Sequence, residues 1–74
     1  MEKLFFDYSK LAGKIKEQFG SQKEFAGALG ISETTLSCKM NNIYYFTQAE
    51  IKSASKLLKL EPGTVSEYFF TLKV

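Results

Sequence analysis

Residues 22–41 read QKEFAGALGISETTLSCKMN, two short runs of helical periodicity separated by a glycine. Ser21 stands just before it, with Glu24 three residues on, which is the pattern of a capping box opening a helix. Phe25, Ala26 and Leu29 then recur at helical spacing until Gly30 stops the run. Ser32 caps a second segment, expected over residues 33–41, with Leu36 and Met40 on one face. Two capped helices joined by about three residues therefore meet at Gly30, which can take the positive φ of a sharp turn. Ala26 is small where the helices cross, and Leu29, Ile31 and Leu36 face inward. This is the helix-turn-helix plan, which leaves its second helix protruding as for entry into a DNA major groove.

Working outward, Tyr8, Leu11, Ala12, Ile15 and Phe19 predict a preceding helix, capped by Asp7 or Ser9 and closed by Gly20. Thr47 and Glu50 form another capping box, opening a helix of about twelve residues through Ile51, Ala54, Leu57 and Leu58. Glu61, Pro62 and Gly63 predict a turn, followed by a short helix over residues 64–69. The ends leave two readings open. Leu4-Phe5-Phe6 and residues 70–74 have strand-like composition, and either pair as a short β pair or extend the helical core. The expected fold is mainly α: one compact domain of four to five helices spanning residues 1–74.

Composition narrows the function. Seventy-four residues with 45% hydrophobic and 15% aromatic content supply one core. All ten positive charges are lysines against eight acids, a net charge of +2, so the chain is only mildly basic. There is no histidine, hence neither the commonest catalytic base nor the commonest metal ligand. One cysteine excludes an internal disulfide and a multi-cysteine zinc site. No Gly-rich phosphate loop or carboxylate dyad stands out. We expect no catalysis, no metal and no cofactor. No apolar run approaches the roughly 20 residues of a membrane span, and residues 1–10 lack the apolar h-region of a signal peptide, so none is expected. A cytoplasmic protein is expected.

The pattern Phe25-Ala26-x-x-Leu29-Gly30-Ile31-Ser32-x-x-x-Leu36, with a helix before it and Phe46-Thr47-Gln48 opening one after it, resembles the helix-turn-helix of phage Cro-type and lambda-repressor-like regulators. The resemblance spans about residues 8–60. It implies a lambda-repressor-like DNA-binding domain that places the helix of about residues 33–41 in the major groove of double-stranded operator DNA. One position departs from that family: three residues after Leu36, where an apolar side chain is usual, stands Lys39. Met40 is expected to take the packing role while Lys39 carries its charge outward.

On this plan Glu33, Thr34, Ser37 and Cys38 face the bases, with Ser32 and Thr35 at the margins. Glu33 either accepts from a cytosine amino group or simply favours the helix dipole. Gln22, at the start of the preceding helix, is expected at a phosphate, and Lys23 and Lys39 either contact phosphates or are ordinary solvated lysines. Asn41 and Asn42 either donate to the DNA backbone or cap the helix. Tyr44 and Tyr45 either reach phosphate or pack on the surface. Without arginine, bidentate guanine readout is lost. A homodimer on half-sites about 34–36 Å apart is expected, its interface drawn from Tyr68, Phe69, Phe70 and Leu72 unless these enter the monomer's core. The alternative function is a protein-interaction module, antirepressor or antitoxin-like, whose third helix has become a docking surface.

Overall fold

A computed structural model describes residues 3–74. Among these, five α-helices follow in order: α1 (Ser9–Phe19), α2 (Gln22–Leu29), α3 (Glu33–Met40), α4 (Gln48–Leu57) and α5 (Val65–Phe69), with a 3₁₀ turn at Pro62–Thr64 before the last. None is long and apolar enough to cross a membrane. The expected mainly helical architecture is observed.

The helix ends obey local chemistry. Ser21, Ser32 and Thr47 each accept a backbone N–H from the third residue of the helix they open. Only Thr47 and Glu50 complete the reciprocal box, with the Thr47 N–H donating to Glu50 Oε1 at 2.8 Å. The start of α1 is built differently, because Asp7 Oδ1 accepts both the N–H and the hydroxyl of Ser9, at 2.9 and 2.6 Å. Those bonds hold the Asp7 carboxyl below its ordinary pKa. At the other end of α2, Gly30 sits at φ +85°. The Ile31 N–H returns to the Ala26 carbonyl at 3.0 Å, closing the helix in a left-handed cap. Asn42, at φ +64°, does the same for α3, with the Ile43 N–H on the Cys38 carbonyl at 2.8 Å.

Helix α2 is the hub, packing against α1, α3 and α4, while α5 returns onto α1. Each helix contributes to one core: Leu11 and Ile15, Phe25 and Ala26, Leu36, Ala54 and Phe69 are all buried, and Leu58 just past α4 joins them. Ala26 has almost no exposed surface, as expected where α2 and α3 approach. An aromatic chain knits the rest. Phe69 meets Phe46 edge to face at 5.3 Å, Phe46 meets Tyr8 at 5.4 Å, and Tyr8 meets Phe6 at 6.1 Å.

The two chain ends meet in one isolated antiparallel bridge between Phe6 and Leu72. The Asp7 N–H donates to the Thr71 carbonyl at 2.7 Å and the Lys73 N–H to the Phe5 carbonyl at 2.8 Å. Of the two readings of the ends, pairing is therefore the one observed, though it stays too short for a sheet.

The aromatic cluster near the C-terminus is split by this geometry. Phe69 is buried in the monomer's own core, and Tyr68 is half-buried with the Lys10 ammonium 5.0 Å from its ring centre. Phe70 and Leu72 stay about half exposed. The four residues expected together at an interface thus do not form one surface, because Phe69 turns from α5 into the core while Phe70 and Leu72, past the end of the helix, stay outside.

Candidate functional site: the exposed face of α3

The α2–α3 hairpin presents α3 as expected. Leu36 anchors it in the core, Leu29 and Ile31 pack partly beneath it, and the opposite side faces solvent. Glu33, Thr34, Ser37 and Cys38 come together there and, with Gln22 from the start of α2, line a shallow cleft of about 320 Å³. Gln22 and Ser37 also line a neighbouring polar hollow of about 450 Å³ that reaches Asn41 and the paired chain ends. Lys23 lies exposed on α2. Ser32 and Thr35 are largely occupied with each other, since the Ser32 hydroxyl donates to Thr35 Oγ1 at 2.8 Å and accepts the Thr35 N–H at 3.0 Å. Asn41 is exposed but folds back, its amide donating to the Ser37 carbonyl at 2.9 Å.

Two of the residues expected at the surface point inward, and here the expectation is corrected. Lys39 is 7% exposed. Its ammonium donates to Glu50 Oε1 at 2.7 Å and to the Tyr45 carbonyl at 3.2 Å, and lies 5.9 Å from the Phe46 ring centre. It therefore takes the packing position itself, its charge met by a carboxylate from α4, while Met40 is only half-buried. Burial pushes the Glu50 carboxyl up, but the bonds from Lys39 and Thr47 outweigh it and hold the group below its ordinary pKa. Asn42 is also 7% exposed. Its Oδ1 accepts the Phe6 N–H at 2.7 Å and its Nδ2 donates to the Phe6 carbonyl at 2.9 Å, so the side chain clips the N-terminal segment like a neighbouring strand. Tyr45 assists, its hydroxyl accepting the Leu4 N–H at 2.9 Å and donating to the Leu4 carbonyl at 3.1 Å.

The electrostatic consequence follows. With Lys39 withdrawn, the outer face of α3 carries the Glu33 carboxylate and no exposed cation. Exposed lysines gather elsewhere: Lys52, Lys56 and Lys59 line a groove beside α4. Their spacing of four and three residues is legible in the sequence, but that they flank a groove follows only from the fold. No group of three or more Cys, Asp or Glu side chains is arranged to hold a metal among the described residues.

Comparison with known proteins places the chain. No curated protein matches it. A solution structure of the modulator of repression of the temperate bacteriophage TP901-1, from Lactococcus lactis, is similar with a TM-score of 0.78 and 45% identity, covering 88% of each chain. A family model described as a protein of unknown function, DUF739, matches residues 4–72. These findings correct the resemblance to Cro-type and lambda-repressor-like regulators. The Ala26, Gly30 and Leu36 pattern specifies how two helices cross, and that geometry is shared by families with different partners. With nearly the whole length matched, the chain belongs to the DUF739 family of proteins of unknown function.

Proposed function

We propose that this protein is a regulator of phage repression that acts by docking on a protein, and that the helix-turn-helix serves it as a scaffold. The observation that carries this reading is the 45% identity, over 88% of both chains, to a phage modulator of repression. The partner this implies is a repressor, and direct contact is the simplest way to alter what a repressor does.

The α3 face adds support. A duplex binder neutralises phosphates with lysine or arginine, whereas this face has a carboxylate, hydroxyls and a half-buried thiol with no exposed cation. Glu33 repels a phosphate backbone, yet suits a basic or hydrogen-bonding protein surface. Thr34 and Ser37, beside Gln22 in the same cleft, supply short polar contacts on a rigid helix. A rigid face pays little ordering entropy on binding.

The test is a calorimetric titration of the chain with the repressor encoded in the same genome, run beside selection of duplexes from a random library at low salt. The expected result is a saturable protein complex and no enriched duplex. Thr34→Ala with Ser37→Ala should weaken that complex about tenfold, the value of two modest hydrogen bonds. An enriched duplex whose affinity falls steeply with salt, with no repressor complex, refutes the proposal.

A further inference from the structure

An open apolar groove of about 750 Å³ runs between α4, the 3₁₀ turn and α5. Its floor is built from Ile51, Leu60, Val65 and the half-exposed ring of Phe70. Ile51 and Phe70 are shared with a second apolar hollow of about 540 Å³ that extends to Leu4 and Tyr45, so the apolar surface continues beyond α4. Three lysines edge the first groove. Lys52 and Lys56 stand one turn apart on α4, and Lys59 follows at φ +56° in the left-handed turn that ends the helix.

All three lysines are exposed, and the ion pairs among the described residues involve Lys10, Lys14 and Lys39 instead. Like charges one helical turn apart repel each other. The free chain therefore carries an unfavourable row that an acidic partner would turn into an attraction. The floor narrows the partner's chemistry further. A phosphate backbone answers the lysines but leaves the apolar floor in water. An amphipathic helix answers both, setting apolar side chains at i, i+3 or i+4 and i+7 into the groove while carboxylates on its flank meet the lysines. From this complementarity of charge and apolar surface, we infer that the α4–α5 groove docks an acidic amphipathic helix of the protein partner. The inference rests on the protein-docking reading above and adds a second contact, because no residue of α3 lines this groove.

The probe is a designed sixteen-residue helical peptide, about four turns long, with leucines at the i, i+4 and i+7 positions flanked by glutamates. Its control has every glutamate replaced by lysine. Titrated into the isotopically labelled full chain and followed by NMR, the glutamate peptide should shift the amides of Ile51, Val65 and Phe70. It should bind at least about tenfold tighter than its control, as expected for three rim charge pairs, and weaken with salt. Lys52→Glu with Lys56→Glu and Lys59→Glu should reverse the preference. These positions are exposed, and an unchanged melting curve confirms that the variant folds. Equal binding of the two peptides, shifts confined to α3, displacement of the peptide by duplex DNA, or a dimer of the chain that the lysine reversal dissolves each overturns the inference. The repressor titration separates the two readings. If the repressor binds wild type and the reversed variant equally, the groove inference falls and docking stands. If the repressor does not bind while the glutamate peptide seats in the groove, the repressor reading fails and the groove's chemistry stands.

Discussion

Replacing Lys39 by methionine asks what holds α3 against α4. The methionine keeps the apolar stem and roughly the volume of lysine, so packing against Phe46 is largely retained and only the ammonium is lost. Glu50 is left with the Thr47 N–H at 2.8 Å and with 19% of its side chain in water. Breaking a fully buried pair costs about 3–5 kcal/mol. Discounted for the remaining hydration and the surviving cap, Lys39→Met should cost about 2 kcal/mol. Glu50→Gln should cost a similar amount, because it strands the ammonium with neutral acceptors while preserving the cap. The double variant has no buried charge and should fall within about 1 kcal/mol of wild type, giving a coupling of about 3 kcal/mol. Urea denaturation at constant m measures each corner of the cycle.

The pH dependence of the same pair adds an independent check. In wild type the Glu50 pKa lies below its ordinary 4.5, so the pair's stabilisation is present above pH 4.5 and lost as pH falls through the lowered value. In Lys39→Met, burial is opposed only by the Thr47 bonds, so the folded-state pKa moves back up toward its ordinary value and less stability is lost on acidification. The stability gap between the two proteins should narrow from pH 7 to pH 4. A coupling under about 0.5 kcal/mol, the range of a solvent-screened surface pair, or a gap independent of pH would refute the reasoning.

Two further substitutions test the turn positions. Asn42→Gly keeps the positive φ but removes both bonds to Phe6, and should cost about 1–2 kcal/mol; hydrogen exchange should show the Phe6 amide losing protection, and unchanged protection would refute the clip. Gly30→Ala should cost about 1 kcal/mol through backbone strain alone, since nothing lies within 4 Å of the added Cβ. Gly27→Ala, helical and equally open, should instead stabilise by up to about 1 kcal/mol; chemical denaturation that ranks the two the other way sinks the assignment of the turn.

The helices were legible in the sequence because their boundaries are set by neighbours in the chain. A serine or threonine accepts an N–H three residues on, and a glycine turns left-handed where a helix must stop, so Ser21, Ser32, Thr47, Gly20 and Gly30 announce their roles locally. The crossing of α2 and α3 was legible for the same reason, through Ala26, Gly30 and Leu36. What that pattern does not encode is the family. Shape comes from the inward residues, whereas partner choice comes from the charge left on the outside.

That outer charge was decided by residues distant in sequence. Lys39 turns inward because Glu50, eleven positions later, brings a carboxylate to within 2.7 Å of it. Asn42 leaves the surface because the Phe6 backbone, thirty-six positions earlier, offers it a donor and an acceptor. The composition of Leu4-Phe5-Phe6 and residues 70–74 marked two ends able to pair, and the fold chose pairing, at Phe6 and Leu72, over extension of the helical core. Sequence by itself thus determined helix order, caps and the hairpin, all governed by contacts within about four residues. The tertiary structure alone decided which polar side chains remain for a partner, because desolvation and pairing depend on what the fold brings alongside each one.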